Sequence, residues 1–364
     1  MQKKAFSSSS IIEKATTAYH GALNYQELES LNIEPDQVID FSSNINPYGP
    51  PQGVPDGLSN IDSTKYPDRD SIALRTVLAE QLNITIDQIM VGNGSAELIW
   101  LIAFAFVQPG DDVAILGPTF GEYERCVRLM GGQVKWIKAL PENEFAFGIQ
   151  ELHQALEDIQ PKFCIICNPN NPTGTILKKE DIFTLAQAHQ NTGVILDEAY
   201  LSFVPELTSS ISLNLPNLLV LRSMTKDFSL AGLRLGYAIG LAEIIGKISQ
   251  VAPAWNVNSY AQAAGIAALS QKDFMARSND RLKVEKKHLV SALGKQGYSI
   301  FPSKTHYFLM DVGDAAAFRL RLLQEHFIQV RDCTSFGLPA MVRVSTRQRE
   351  ENQQLLDALW KINT

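Results

Sequence analysis

The sequence predicts an α/β protein with a mostly parallel sheet and a second, smaller lobe. Two observations lead to this prediction. Short apolar, β-rich runs alternate with longer helical patterns through the middle of the chain, which is typical of a parallel sheet covered by helices. The chain also has 364 residues, more than a single hydrophobic core usually supports, so we expect two domains or one large domain with a smaller lobe.

Six apolar runs are predicted as the strands of the large domain. They are residues 113–116, 134–137, 163–167, 194–196, 218–221 and 237–240. Polar clusters come directly after several of these runs, at the carboxyl ends of the strands, where open α/β sheets bind their ligands. We therefore expect one ligand site along that edge of the sheet.

Two further segments are predicted to be helical. The apolar run at 98–107 is about half as long as a membrane-spanning helix, so it indicates a buried helix and no membrane span. From about residue 255 the pattern becomes helical, beginning at 257–269, and then mixed, which predicts the second lobe. A stretch rich in proline and glycine at 46–53 favours a boundary between an N-terminal arm and the large domain.

Composition and charge narrow the class of partner. The chain is 45% hydrophobic and 20% charged, and its net charge of −7 is spread without a basic stretch. A nucleic-acid partner is therefore not expected. The N-terminus lacks the apolar region of a signal peptide, so we expect a cytoplasmic protein.

The cysteines predict neither a disulfide scaffold nor a metal site. Four cysteines are too few for such a scaffold, although Cys164 and Cys167 form a C-x-x-C sequence. The pair lies in the predicted strand 163–167, where residues three apart point to opposite faces. We therefore interpret both cysteines as structural.

Lys226 lies in a cluster that suits a cofactor with both an aldehyde and a phosphate. An uncharged lysine amine can form a Schiff base with an aldehyde, and hydroxyl and guanidinium groups bind phosphate. Ser223, Thr225 and Arg234 lie within eight residues of Lys226. Pyridoxal 5'-phosphate (PLP) presents both groups, so we predict PLP as the cofactor and Lys226 as its Schiff-base lysine.

Three other polar side chains could act on the cofactor ring. Asp197 follows the strand at 194–196. A carboxylate against the pyridine nitrogen would keep that nitrogen protonated, so that the ring withdraws electrons. Tyr200 and Asn171 could hydrogen-bond the phenolic oxygen of the cofactor. Read alone, the Asn-Pro and Pro-Thr-Gly sequences around Asn171 indicate only turns.

A glycine-rich turn precedes the predicted helix at 98–107. Gly94, Ser95 and Ala96 run into this helix, whose N-terminus would offer free N–H groups and a favourable dipole to an anion. Alternatively, the turn only connects a strand to a helix, with Ser95 as a cap. Phe120 could stack on the pyridine ring, or it could belong to ordinary core packing.

Together, these motifs resemble those of the fold-type I PLP enzymes of the class I/II aminotransferase family, over nearly the whole chain. Ser-x-Thr-Lys with an arginine eight residues on, Asn-Asn-Pro-Thr-Gly and Asp-Glu-Ala-Tyr all match motifs of that family. The resemblance implies a three-layer, PLP-binding large domain at 49–255 and a small α/β C-terminal domain at 256–364. It also implies that residues 1–48 form an N-terminal arm that joins the small lobe.

The resemblance also implies roles for individual residues. Lys226 is implied as the Schiff-base lysine, Asp197 at the pyridine nitrogen, and Tyr200 with Asn171 at the ring oxygen. The residues implied at the cofactor phosphate are Ser95, Ala96, Ser223 and Arg234. In this family a tyrosine of the partner subunit also reaches the phosphate, and Tyr66 matches it. A homodimer with shared active sites is thereby implied.

Two subfamilies are open as the source of the substrate, histidinol-phosphate aminotransferase and L-threonine-O-3-phosphate decarboxylase, and both substrates carry a phosphate. His20-Gly21 and residues 40–47 (DFSSNINP) are similar to motifs of the decarboxylase, and residues 120–123, 345–347 and 351–352 also favour it. Ala22 departs from that pattern, because the decarboxylase usually has a second glycine there. We favour the decarboxylase and keep the aminotransferase as the alternative.

Four residues are predicted to contact the substrate. Arg331 and Arg343 match the family's arginines for substrate anions, and a planar guanidinium can grip a carboxylate or phosphate with two bonds. His20 could bind the substrate phosphate, and Asn46 belongs to the matching segment 40–47. Taken singly, each arginine would be interpreted as a surface ion-pair residue, and His20 as solvent-exposed.

The reaction depends on which bond of the substrate α-carbon stands perpendicular to the cofactor plane. An out-of-plane carboxylate leads to decarboxylation, whereas an out-of-plane hydrogen, moved by Lys226, leads to transamination. A third possibility is a non-catalytic PLP-binding regulator with an N-terminal DNA-binding extension. We do not expect it, because only about forty residues precede the Asn-Pro segment and the chain is acidic.

Overall fold

The computed structural model describes residue 12 and residues 19–363. The helices in this part of the chain are α1 Tyr25–Leu31, α2 Gly53–Ser59, α3 Ile72–Leu82, α4 Gly94–Phe106, α5 Glu122–Leu129, α6 Ile149–Ile159, α7 Lys179–Ala188, α8 Met224–Asp227, α9 Ala242–Val251, α10 Ser259–Leu269, α11 Phe274–Lys295, α12 Ala315–His326 and α13 Arg349–Asn363. The strands are β1 Ile39–Asp40, β2 Ile89–Gly92, β3 Asp112–Gly117, β4 Gln133–Lys138, β5 Phe163–Cys167, β6 Gly193–Asp197, β7 Leu218–Ser223, β8 Gly236–Ile239, β9 Ser299–Ile300, β10 Tyr307–Asp311, β11 Ile328–Gln329, β12 Arg331–Asp332 and β13 Met341–Ser345.

A seven-stranded sheet forms the centre of the large domain, in the order β2-β8-β7-β6-β5-β3-β4. Strands β7, β6, β5, β3 and β4 run parallel, and β8 is antiparallel to both of its neighbours. The mostly parallel sheet is therefore confirmed, and all six predicted strands are present. Strand β2 was not predicted, because a buried run of four residues beside a glycine-rich turn carries no periodicity that distinguishes a strand.

Helices cover both faces of this sheet and make three layers. On one face, Leu98 and Ile102 of α4 pack with Ile115 of β3. On the other face, Leu152 of α6 packs with Ala114 of the same strand. Because neighbouring residues of a strand point to opposite faces, these contacts show that β3 is buried on both sides. The predicted three-layer α/β domain is confirmed.

The four cysteines are buried and free. Cys164 belongs to the core on the α6 face, whereas Cys167 belongs to the core on the α4 face. The prediction that these two side chains point to opposite faces of the strand is therefore confirmed. Burial raises the pKa of each of the four thiols to about 12, so they are thiols rather than thiolates at neutral pH.

The smaller lobe contains a four-stranded antiparallel sheet in the order β12-β13-β10-β9. Strand β1, from the N-terminal part of the chain, also belongs to this lobe, because it pairs in parallel with β11 in a separate two-stranded sheet. Phe41, which follows β1, is fully buried against Leu289, Phe308 and Leu355. Residues 39–41 and the C-terminal third thus share one hydrophobic core.

Helix α10 lies on the large domain, although we predicted that the small domain begins at residue 256. Its residues Ala261 and Ala264 share a core with Val54 and Leu74 of α2 and α3. Small side chains on α10 allow this close approach, and a Cβ on Gly265 would lie 2.7 Å from a methyl carbon of Leu235. We therefore propose a lobe boundary after α10, near residue 270.

In the described part of the chain, no helix is both long enough and apolar enough to cross a membrane.

Candidate active site

A cavity of about 590 Å³ lies where the carboxyl ends of the central strands face the small lobe. Twelve of the residues predicted for the cofactor and substrate line it, namely His20, Ser95, Ala96, Phe120, Asn171, Asp197, Tyr200, Ser223, Thr225, Lys226, Arg234 and Arg343. Three predicted residues do not line it: Asn46, Tyr66 and Arg331. Residues from seven separate segments of the sequence therefore meet at one site, as expected for the switch region of an α/β sheet.

Lys226 directs its amine into this cavity from the short helix α8, directly after β7. Burial, with smaller contributions from the charges of Arg343 and Arg234, lowers the pKa of the amine to about 8. Among the described residues the amine has no hydrogen bond or ion pair, although the charge of Asp40 acts against the lowering of its pKa. A neutral lysine amine is a nucleophile, so the lowered pKa increases the fraction of the amine that can bond to an aldehyde near neutral pH.

Asn46 fixes the lysine segment and does not line the cavity, so its predicted contact with the substrate stays a prediction. Its backbone N–H donates to the Lys226 carbonyl at 3.0 Å, and its amide Nδ2 donates to the Asp227 carbonyl at 3.1 Å. The amide of Asn46 is therefore used in holding α8 against the N-terminal segment.

Asp197 is buried at the end of β6. The Tyr123 hydroxyl donates to Asp197 Oδ2 at 2.7 Å, and the Ala199 N–H donates to Oδ1 at 2.9 Å. Burial raises the pKa of this carboxyl, and these two hydrogen bonds act against the rise. A cationic ring nitrogen placed beside it would stabilise the ionised form. Sequence reasoning missed Tyr123, whose only signal was its position three residues after Phe120 in the first turn of α5.

Asn171 and Arg343 join the two lobes across the cavity. Arg343 of β13 donates from Nη1 to Asn171 Oδ1 and from Nη2 to the Ser42 carbonyl. Because the amide oxygen of Asn171 accepts from Arg343, its amide nitrogen is the group left to donate to a cofactor oxygen. Burial raises the pKa of Tyr200 to about 12, partly offset by Arg343, so its phenol also acts as a donor.

Arg343 is buried and has no carboxylate partner in the described part of the chain. Its Nε is also buried without a hydrogen-bond partner. A buried cation without a counter-ion is costly, and an anion from solution would relieve that cost. Arg343 is therefore well suited to bind an anionic group of a substrate beside Lys226.

The predicted phosphate end of the site is built on the N-terminus of α4. Gly94 has φ +80° and lies so close to Arg234 that a Cβ would come within 2.8 Å of its Nη2. A Cβ on Gly236 would come within 2.6 Å of the Ser95 nitrogen, so glycine is required where β8 passes this turn. The free N–H groups of a helix start and the Arg234 guanidinium together suit a phosphate dianion.

The hydroxyl groups around this end divide into two kinds. Thr225 Oγ1 donates to the Leu235 carbonyl at 3.3 Å, so its proton is already used within the protein. The hydroxyls of Ser95 and Ser223 have no hydrogen-bond partner in the described part of the chain. The donor set therefore fits the phosphate of PLP, with the two serines as the hydroxyl donors.

Arg331 does not line the cavity, and its predicted role as a direct substrate ligand stays a prediction. It pairs with Arg343 across strands β12 and β13, so the two side chains share one face of the small sheet. Its Nη2 donates to the Tyr19 carbonyl at 2.8 Å and to Ser335 Oγ at 2.6 Å. Arg331 therefore adds positive charge behind Arg343 and holds the N-terminal segment in place.

Tyr66 lies on the surface, away from the cavity of its own chain. Its side chain is 79% exposed and stacks on Trp255, with ring centroids 4.5 Å apart. An exposed pair of large aromatic side chains suits a protein interface. The predicted contact of Tyr66 with the cofactor of a partner subunit stays a prediction.

Sequence reasoning did not assign a role to Glu122, which lies at the mouth of the cavity beside His20. Glu122 Oε1 accepts from His20 Nε2 at 3.0 Å, and Oε2 accepts from Trp100 Nε1 at 2.9 Å. The His20 ring also lies 5.4 Å from the ring of Phe120. The only sequence feature that points to Glu122 is the motif at 120–123, which distinguishes the subfamilies but does not by itself indicate a role for this residue.

Asn44 is a second cavity residue to which the sequence analysis assigned no role of its own. Its side chain is 1% exposed, yet neither its Nδ2 nor its Oδ1 has a hydrogen-bond partner in the described part of the chain. Buried amides are normally paired, so this one is available to a ligand or a water.

Ala22 has a backbone conformation that favours glycine, with φ 92°. We expect Ala22→Gly to raise the free energy of unfolding by about 1 kcal/mol, because glycine adopts positive φ without the steric cost of a Cβ. Chemical denaturation of both proteins measures this difference. The matched control is Ala316→Gly in helix α12, which should lower stability by a similar amount. Destabilisation by Ala22→Gly would contradict the expectation.

Comparisons with known proteins agree with this geometry. A family model described as aminotransferase class I and II matches residues 36–359. Histidinol-phosphate aminotransferase 1 of Mannheimia succiniciproducens is 34% identical over 357 residues, which cover 96% of each chain. The crystal structure of L-threonine-O-3-phosphate decarboxylase from Porphyromonas gingivalis is 27% identical, with a TM-score of 0.79 over 88% of this chain and 98% of that one.

A third protein is similar in fold. The structure of histidinol-phosphate aminotransferase from Sinorhizobium meliloti in complex with pyridoxal-5'-phosphate has a TM-score of 0.88 and covers 99% of this chain and 98% of its own. At 22% identity, this similarity shows that the two proteins share a fold.

Proposed function

Because the chain belongs to the class I and II aminotransferase family, we propose that this PLP-dependent enzyme decarboxylates a phosphorylated amino acid, L-threonine O-3-phosphate. Such a substrate carries two anionic groups, a carboxylate and a phosphate. The proposal rests on one observation, namely that cationic side chains lie at two different places on the substrate side of the cavity.

The first place is Arg343, beside Lys226. Its guanidinium is held in one orientation by Asn171 and Ser42. The second place is the mouth, where His20 and Arg125 both lie against Glu122 and line the cavity. Two anchoring points fix both ends of a small substrate and thereby the orientation of the bonds at its α-carbon. The Arg234 cation is separate, because it lies at the phosphate end of the cofactor site.

In the proposed reaction, the bond from the α-carbon to the carboxylate breaks, carbon dioxide leaves, and a proton takes its place. When bound, PLP supplies the electron sink for this bond cleavage. Asp197 would keep a proton on the pyridine nitrogen, and Arg343 would orient the carboxylate. Lys226, whose amine faces the cavity with a pKa of about 8, can donate and accept protons near neutral pH.

Transamination of histidinol phosphate is the second candidate function. Glu122, a buried carboxylate at the cavity mouth next to Trp100 and Phe120, could accept the N–H of a substrate imidazole. The relative from Mannheimia succiniciproducens bears the name of that activity. A single anion on the substrate would then bind at Arg343.

Product analysis separates the two functions. The PLP-loaded protein is incubated with L-threonine O-3-phosphate and no keto acid, and in parallel with histidinol phosphate and 2-oxoglutarate. We expect carbon dioxide and aminopropanol phosphate in the first reaction. Glutamate formed only in the second reaction would refute the proposed decarboxylase activity and support the aminotransferase activity instead. Protein freed of its cofactor is the control for both.

We also propose that the active enzyme is a homodimer in which Tyr66 of one subunit reaches the cofactor phosphate of the other. The exposed stack of Tyr66 on Trp255 supports this proposal, because it leaves a large aromatic surface for a second copy.

A further inference from the structure

Glu122 is a buried carboxylate that faces the substrate side of the cavity. Among the described residues that line the cavity, Asp197 is the only other carboxylate, and it lies at the cofactor ring. The hydrogen bond from His20 lowers the pKa of Glu122, opposed by burial and aided by Trp100. Glu122 is therefore ionised at neutral pH. A fixed negative charge beside the proposed phosphate of the substrate requires an explanation, because like charges repel.

The main chain around His20 does not depend on Glu122. We call residues 19–22 the strap. Arg331 Nη2 donates to the Tyr19 carbonyl at 2.8 Å, and the Ala22 N–H donates to Ser42 Oγ at 2.9 Å. The strap is thus attached on both sides of His20, and the bond to Glu122 holds only the imidazole ring.

Both carboxylate oxygens of Glu122 act as hydrogen-bond acceptors. Trp100 Nε1 can only donate, and it occupies Oε2. His20 Nε2 and, at 3.5 Å, Arg125 Nη1 occupy Oε1. With Nε2–H donated to Glu122, a protonated His20 ring has Nδ1–H left as a second donor.

We propose that Glu122 is a positioning residue that fixes the His20 ring through its Nε2, so that the second ring nitrogen can donate to the phosphate of the substrate. This inference rests on the proposed function. Glu122 then acts through His20, because it holds the ring in the orientation in which the ring can donate to the phosphate. A neutral amide at position 122 would place an N–H against either Trp100 or His20, and would therefore no longer hold the ring in this orientation.

The direction in which Glu122→Gln changes the binding of an anion distinguishes a positioning role from simple charge repulsion. If Glu122 acted only as a charge in the cavity, its removal would strengthen the binding of an anion. If it positions His20, removal weakens that binding by about tenfold, the value of one charge-assisted hydrogen bond. The KM for L-threonine O-3-phosphate should rise by that factor, with kcat changed by less than about twofold, since Lys226 and Asp197 are untouched.

The matched control is Glu124→Gln. Glu124 lies on the same helix and forms an exposed ion pair with Arg128, outside the cavity. We expect wild-type KM and kcat from this variant. A KM for Glu122→Gln that is unchanged or lower than that of the wild type would overturn the inference.

Isothermal titration of the PLP-loaded protein with inorganic phosphate gives a second test that does not need turnover. His20→Gln, which changes a half-exposed side chain, should weaken phosphate binding as much as Glu122→Gln does, and the double variant should show no further loss. Additive losses would show that Glu122 does not act through His20. Absence of decarboxylation by the wild type would refute the proposed function, whereas the titration would still decide the role of Glu122.

Discussion

Replacing Lys226 with alanine should lower kcat for the physiological substrate by at least about 10⁴-fold, because one side chain supplies both the covalent attachment of PLP and proton transfer. Its amine is the lysine nitrogen that faces the cavity, and burial lowers its pKa to about 8. Reduction of the PLP-loaded protein with borohydride, followed by peptide mass spectrometry, should find the cofactor on the peptide that contains Lys226. The variant should carry no label.

Lys286 supplies the control for that experiment. Burial lowers the pKa of its amine to about 8 as well, but the amine donates to the carbonyls of Ser303 and Thr305 at 2.6 Å each and lies outside the cavity. Lys286→Met should therefore keep the covalent label on Lys226. A label on any other lysine in the wild type would contradict the assignment of the site.

Replacing Asp197 with asparagine should lower kcat by about 10³-fold, with a much smaller change in KM. Asparagine has nearly the same shape but no charge, so it cannot hold a proton on the pyridine nitrogen. The buried position of Asp197 strengthens the effect, because water does not screen the interaction there. Steady-state kinetics on protein saturated with PLP measure it.

Tyr123→Phe is the matched control for Asp197→Asn. It removes only the hydroxyl that donates to Asp197 Oδ2 and leaves the carboxylate in place. We expect a loss of about tenfold or less, the value of one hydrogen bond to a charged group. Wild-type kcat in Asp197→Asn would show that the carboxylate does not control the ring nitrogen.

The cofactor end of the site could be predicted from the sequence because its residues lie in short motifs at strand ends. Asp197, Lys226 and Asn171 each follow a buried strand, and parallel strands bring their carboxyl ends to one edge of a sheet. The order of the strands was not predictable. It depends on pairing between distant segments, such as β2 with β8, which the local pattern does not record.

The substrate end was predicted less well, because its residues act through contacts between segments far apart in the sequence. Arg331 and Arg343 both match arginines of the family, yet only Arg343 lines the cavity, since Arg331 turns towards the Tyr19 carbonyl. Asn46 likewise uses its amide on the lysine segment. Glu122 is polar and near a strand end, but nothing local to it reveals its bond to His20, 102 residues away.

The buried cysteines should make the native protein resistant to thiol reagents. The rates at which they are labelled should therefore report how often the structure opens around them. A reagent such as a maleimide needs the thiolate and a path to it, and each of the four cysteines has a raised pKa and is at most 7% exposed. Cys167 lines the cavity beside the predicted cofactor ring, whereas Cys333 lies in the core of the small lobe. The rate at which Cys167 is labelled therefore reports access to the cavity, whereas the rate at which Cys333 is labelled reports opening of the small lobe.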